Sequence, residues 1–298
     1  MPRHCPLNPP GTRVRALAPL CCLLLLLACG SPDAPRKFRL PARVNEASGL
    51  VIDGEEMIWH NDSGDGPYLY TTDRAGHLLR TDTLHARAVD YEDISMDTTG
   101  LLYVGDFGNN TGRRTFQTIY TYDRATRATD SITFTYPGQD GGGRSVRGNY
   151  DCEAMVVDAG YVHLFTKDVL SGDRPFYIYH FRLPARPGTH VAEAVDSLYL
   201  PRRVVTGAAL DRATGTLYLV AYNYRRLLGL LPSSAASVIT LRDYPGDRFF
   251  SGTLRRRNLA WAIPTQHEAI AVYDADYLYV GAEATRIRSR AIGRRIRR

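Results

Sequence analysis

Five short phrases hold the residues of this chain with the most evident chemistry: Glu46-Ala-Ser-Gly-Leu, Glu92-Asp-Ile, Glu153-Ala-Met, Thr206-Gly-Ala and Glu268-Ala-Ile. Each opens an apolar run that turns and returns. The return runs end on Asn61-Asp62, Asp106, Lys167-Asp168, Asn223 and Glu283. The start of a strand and the end of its antiparallel partner lie at the same end of a hairpin. The pattern therefore gathers Glu46, Asp62, Glu92, Asp93, Asp106, Glu153, Asp168, Glu268 and Glu283 at one mouth. Carboxylates so crowded cannot all ionise without compensation. A hard cation such as Ca²⁺ would compensate through oxygen ligands. Lys167, one of two lysines in the chain, could instead neutralise a neighbour. A third solution is structural, with the carboxylates accepting backbone N–H groups of an adjacent element. In a reacting site, Glu92, Glu153 and Lys167 are the candidate catalytic groups: a carboxylate base and a cation to stabilise negative charge.

The spacing is regular. Ser48 to Asp62, Glu92 to Asp106 and Glu153 to Lys167 each span 14 residues, and Glu268 to Glu283 spans 15. Two loops could add oxygen ligands, His60-Asn-Asp-Ser-Gly-Asp-Gly66 and Asp106-Phe-Gly-Asn-Asn110. Neither has the ligand spacing of an EF-hand, and both also suit ordinary Asp/Gly turns. The eight histidines are dispersed, without the spacing of a zinc site. There is no Gly-x-Ser-x-Gly elbow and no Gly-Lys-Ser/Thr phosphate loop. Cys152 beside Glu153 reads as a small residue entering a buried strand.

The elements that position these groups follow from the repeat. Aligned on the polar residue before each apolar run, the units start at Ser48, Glu92, Glu153, Thr206 and Glu268, with gaps of 44, 61, 53 and 62 residues. Short strand patterns alternate with turn signals, and no amphipathic helix is evident. A repeat of this size without helices is the signature of a β-propeller, one four-stranded blade per gap. The expectation is all-β with five blades, six being the alternative. The last unit has too little chain for four strands. N-terminal residues around Phe38 and a strand over 286–292 should complete it. The long loops 138–149 and 249–266 both lead into a repeated Glu and should cover the mouth.

The N-terminus reads as a targeting segment. Arginines precede an apolar stretch from Ala16 to Leu27, well short of the roughly 20 residues that span a bilayer. It ends Leu26-Leu-Ala-Cys29-Gly30, which resembles the lipobox of bacterial lipoproteins. That resemblance implies cleavage before Cys29, acylation of Cys29 and attachment to the cell envelope. Gly30 is not the aspartate that retains lipoproteins in the inner membrane, so the outer membrane is the expected destination. The organisation is then a signal peptide over 1–28, a lipidated tether over 29–36, a propeller over 37–292 and a basic tail over 293–298. The mature domain keeps only Cys152 and so has no disulfide.

The net charge of +6 is uneven. Three arginines lie in the first segment and seven in the last thirteen residues. Without those ten the charge is −4, which argues against a nucleic-acid partner. The chain also resembles a family of phytase-like bacterial propellers. The likeness is carried by Ser48-Gly-Leu50, His60-Asn-Asp-Ser-Gly64, Tyr91-Glu-Asp-Ile-Ser95, Gly105-Asp-Phe-Gly-Asn-Asn110, Glu153-Ala-Met155 and Thr206-Gly-Ala208. It implies a propeller, calcium and phosphoester chemistry, although no dense cluster of cations is present to grip a polyphosphate. The expected function is a lipid-anchored, non-catalytic propeller that binds a small molecule, glycan or envelope protein at an acidic mouth. The alternative is a metal-dependent hydrolase of phosphoesters or lactones.

Overall fold

The computed structural model describes residues 34–139, 150–167, 176–223, 226–227, 231–232, 236–259, 266–285 and 288–298. Five four-stranded antiparallel blades follow one another along the chain, each with its first strand innermost, and the sheet of blade two carries a fifth, parallel strand, Gly188–Val191, on its outer edge. Blade one is built from Ala47–Asp53, Glu56–Asn61, Tyr68–Thr72 and Leu78–Thr83. Blade two comprises Tyr91–Met96, Leu102–Asp106, Gln117–Tyr122 and Thr129–Thr135. Blade three comprises Cys152–Asp158, Tyr161–Thr166, Tyr177–Pro184 and Glu193–Tyr199. Blade four comprises Arg203–Asp211, Thr216–Asn223, Ser237–Arg242 and Thr253–Asn258. Blade five takes His267–Val272, Tyr277–Ala282 and Ile292–Arg297 from the end of the chain and Lys37–Arg39 from its start. The chain is thus an all-β, five-bladed propeller closed by N-terminal chain.

Burial explains why each strand sits where it does. The first two strands of each blade are near-continuous buried runs, as expected for strands covered on both faces. The outer strands are mostly exposed except that of blade two, the extreme being Thr253–Asn258, exposed at every position. Five apolar clusters fill the five junctions between blades. Trp59, Phe38 and Tyr279 join blades five and one, and Ile58, Val104 and Tyr122 join one and two. Phe134, Tyr136 and Phe181 join two and three, Phe165, Leu219 and Phe249 join three and four, and Tyr218, Val280 and Ile296 join four and five.

The closing strand differs from expectation. It runs over Ile292–Arg297 rather than 286–292, so most of the expected basic tail is part of the sheet. Gly293 fixes this register. It lies opposite Phe38, and a Cβ there would come within 2.2 Å of the Phe38 ring. Ile292 and Ile296 are buried while Arg297 stays exposed, so the arginine-rich sequence still satisfies a half-buried strand. The second expected loop, 249–266, is instead in part strand, since Thr253–Asn258 pairs with Ser237–Arg242; its residues 260–265 and most of the 138–149 loop lie outside the described residues. Residues 1–33, with the expected signal and Cys29, also lie outside them. No helix among the described residues is long and apolar enough to cross a membrane.

Candidate ligand and cation site

In every blade the ladder between the first and second strands slips by one residue. The skipped residues are Ser48, Glu92, Glu153, Thr206 and Glu268, the same five on which the sequence repeat aligns. A bulge leaves its extra residue unpaired and re-aims its side chain. Two residues earlier stand Glu46, Asp90, Asp151 and Gln266. Their carbonyls accept the N–H groups of Asp62, Gly108, Lys167 and Glu283 at the ends of the second strands. In blade four Tyr222 takes that position, opposite Val204.

These layers converge into a carboxylate cluster. Oxygens of Asp62, Glu268 and Glu283 lie within 4.8 Å of one another, and so do oxygens of Asp62, Asp90 and Glu92. Asp62 belongs to both triplets. Glu153 is bonded instead to the Lys167 ammonium, which stands 6.0 Å from the centre of the Tyr222 ring. Burial, then Glu153 and Asp62, push the Glu92 carboxyl well above the usual range. Burial and Glu283 do the same for Glu268. Burial raises Asp62 and Glu283, and it lifts Asp90 to about 6 with help from Asp62 and Asp151. Burial disfavours the Lys167 charge, but Glu153, Tyr222, Glu92 and Glu268 outweigh it and hold the ammonium protonated.

The motif residues of blade two prepare this cluster. Phe107 is an extra residue whose buried ring packs against Gly105 and leaves the mouth. Gly108 then takes the place that Asp62, Lys167 and Glu283 hold in their blades. A Cβ on Gly108 would lie 2.1 Å from Glu92 Oε1 and 2.4 Å from Asp90 Oδ2. The Asn109 N–H donates to Asp151 at 2.7 Å. In blade one, Asn61 accepts from the Glu46 N–H and donates to Arg43 O and Asp65, which fixes the loop bearing Asp62.

Two expected site residues belong elsewhere. Because the turn of this hairpin is one residue longer than in blade one, Asp106 pairs with Tyr91 and falls one position short of the mouth. It accepts the N–H groups of Val89 and Asp90 and pairs with Arg114 at 2.7 Å, so it positions Asp90. Asp93 is buried as a staple. Its carboxylate accepts N–H groups from Ile94, from Met155 of blade three and from Ala208 of blade four. Glu46 is exposed at the rim, its pKa raised by burial and by Asp62 and Asp65. Asp168 lies outside the described residues. Asp62, Glu92, Glu153, Lys167, Glu268 and Glu283 do come together. Sequence reasoning missed Asp90, Gly108 and Tyr222. The signal for Asp90 was its place two residues before Glu92, as Glu46 stands before Ser48.

The structure also separates site from scaffold. At the two repeat positions without Glu, the hydroxyls staple blades: Ser48 Oγ donates to Glu92 O at 2.7 Å and Thr206 Oγ1 to His267 O at 2.8 Å. The three Glu positions are spent on the cluster. The donor set is all oxygen, the chemistry of a hard cation. Two details fit such an ion. Glu92 Oε1 is buried with no hydrogen-bond partner among the described residues, and the missing side chain of Gly108 lets the Glu92 and Asp90 carboxylates come together where its Cβ would stand.

No protein-family model matches the sequence, and no curated protein matches it. Solved structures are similar in fold. An α-L-arabinanase of Penicillium chrysogenum matches at 9% identity and TM-score 0.52, over 89% of this chain and 99% of its own. An exo-β-1,3-galactanase of Clostridium thermocellum matches at 11% identity and TM-score 0.55, over 87% of this chain. This chain spans only 61% of the galactanase chain. A Xanthomonas campestris gluconolactonase matches at 15% identity and TM-score 0.45, over 87% of this chain and 78% of its own. At these identities the likeness is one of fold alone.

Proposed function

We propose that this protein is a lipid-anchored propeller of the cell envelope whose acidic mouth holds a hard divalent cation, Ca²⁺ first among them. Through that cation it binds a hydroxyl-rich or anionic small molecule or glycan without turning it over. The observation that carries the reading is Asp62, shared by two carboxylate triplets beside a buried Glu92 oxygen with no partner. Asp62, Glu92, Glu268 and Glu283 would supply the oxygen ligands. Lys167, held by Glu153, keeps a fixed positive charge next to them for the ligand. The bound cation would supply a Lewis-acidic point for a ligand oxygen. Elemental analysis of natively purified protein, beside an Asp62→Asn variant, tests this. The expected result is one equivalent of cation in the wild type and none in the variant. A wild type that is metal-free and shows no heat of binding with Ca²⁺, Mg²⁺ or Mn²⁺ would remove the reading.

A second reading, a metal-dependent hydrolase of phosphoesters or lactones, is favoured by one feature. Glu92 combines a raised pKa with a free oxygen, as a general base or acid near neutral pH requires. Glu153 is less suited, being tied to Lys167. A screen of phosphoesters and lactones with each cation decides it: turnover that Glu92→Gln abolishes would establish the enzyme, and background rates throughout would dismiss it.

A further inference from the structure

The acidic mouth has a basic counterpart along blade five and the outer strand of blade four. A groove of about 440 Å³ is lined by Arg36, Arg257, Arg294, Arg295 and Arg297, and no Asp or Glu is among its described lining residues. A second groove of about 420 Å³, lined by Lys37, Arg39, Arg288 and Arg290, is likewise without a carboxylate. The arrangement costs stability. Lys37 stands directly opposite Arg294 in the ladder, a like-charge pair that weakens a sheet. Burial and the charge of Arg294 lower the Arg257 pKa. The arginines of Thr253–Asn258 are exposed at every position, so the apolar core does not require them.

The place of this patch in the chain indicates its partner. The described chain begins at Ala34 and runs straight into Arg36 at the groove. Arg36 follows the expected acylation site, Cys29, by seven residues. Seven extended residues reach at most about 25 Å, so an acyl anchor at Cys29 would hold the groove against the membrane surface. The strand Lys37–Arg39 then runs toward the mouth. Arg39 pairs with Ile292, which pairs with Ala282, the neighbour of Glu283. The chain therefore arrives from the end of the blade away from the carboxylates.

We propose that the arginine groove beside Arg36 docks blade five on the phosphates of an anionic membrane surface and turns the acidic mouth away from it. The placement rests on the lipid-anchored reading; the groove's affinity for lipid phosphate does not. The test uses the chain with Cys29→Ser, which carries no acyl group, sedimented with vesicles of phosphatidylglycerol and phosphatidylcholine or of phosphatidylcholine alone. Binding should appear only with the anionic lipid and fall steeply with salt. Arg36→Gln/Arg257→Gln/Arg297→Gln, three exposed positions, should lower the partition coefficient about 100-fold, roughly fivefold per charge. The control Arg87→Gln/Arg113→Gln/Arg186→Gln removes the same charge at exposed positions elsewhere and should lower it less than about fivefold, a bound set by that same per-charge effect. Equal losses in the two variants, or equal binding to both lipids, would overturn the proposal. Acyl labelling of the wild type reads the anchor separately: an unlabelled chain that still binds anionic vesicles loses the anchor and keeps the docking face.

Discussion

At the scale of single residues, the mouth stores repulsion that a cation would relieve. Asp62, Asp90, Glu92, Glu268 and Glu283 all have pKa values above their ordinary range, chiefly through burial. A carboxylate whose folded pKa is raised favours the folded state at low pH and loses that contribution as pH rises through the folded value. Without divalent cations, the melting temperature should therefore fall as pH rises from 5 to 8, a range that includes the Asp90 value of about 6. Saturating cation should flatten the fall. Differential scanning fluorimetry in chelator and in calcium measures both, and a cation-free protein that grows more stable toward pH 8 would contradict the account. Glu92→Gln removes a buried charge with a free oxygen. It should raise the cation-free melting temperature at pH 8 by roughly 2–8 °C, for about 1–2 kcal/mol of relieved repulsion, and abolish the gain from calcium. Gly108→Ala tests the geometry apart from the charge. Its methyl would displace the Glu92 and Asp90 carboxylates and should weaken cation binding at least about tenfold, or about 1.4 kcal/mol, as titration calorimetry would read.

At the scale of elements, the residues on which the sequence repeat aligns coincide with the bulges of the ladders. Ser48, Glu92, Glu153, Thr206 and Glu268 were aligned by type, and each is the residue its ladder skips. Turn chemistry and buried runs made the five blades legible as well. Register at the strand ends was not legible. Counting 14 residues from Glu92 lands on Asp106, but the turn of this hairpin is one residue longer than in blade one, and packing of Phe107 into the junction of blades two and three adds another, so the position passes to Gly108. Asp93 could not be separated from Glu92 by sequence, since neighbouring acids in a bulged strand have different fates only once the adjacent blades are in place. Its three backbone partners tie blades two, three and four together. Asp93→Ala strands three buried N–H groups and should cost about 3–5 kcal/mol, seen as a large drop in the denaturation midpoint with no gain from calcium. A near-neutral result would mean that Asp93 is not the staple its contacts describe. The closing strand teaches the same lesson. The sequence placed the closing strand over 286–292, but the fit of Gly293 under Phe38 sets it over Ile292–Arg297.

At the scale of the whole molecule, the two carboxylate triplets draw on three consecutive blades. Asp62 comes from blade one, Asp90 and Glu92 from blade two, and Glu268 and Glu283 from blade five. The junction of blades five and one is also where the ring closes, through three residues of N-terminal strand. A cation at Asp62 would therefore bridge the seam that the chain closes last, and it would do so between strands whose hydrogen bonds the bulges already interrupt. Blades three and four contribute the Glu153–Lys167 pair and Tyr222, which are largely satisfied among themselves. Binding at 100 times the dissociation constant stabilises a folded protein by about 2.7 kcal/mol, but the protection need not be even. Hydrogen exchange should slow most at the mouth ends of Ala47–Asp53, Tyr91–Met96 and His267–Val272, and least in the innermost strands of blades three and four. Truncating the clasp with Phe38→Ala, which removes a buried ring from the Trp59 and Tyr279 contacts, should cost about 3–5 kcal/mol. With a cation bound across the same seam, part of that cost should be recovered, so calcium should raise the melting temperature of the variant by more than that of the wild type. An equal rise in both proteins, or exchange protection spread evenly over the five blades, would show that the ion does not act across the closure and would place its ligands within a single blade.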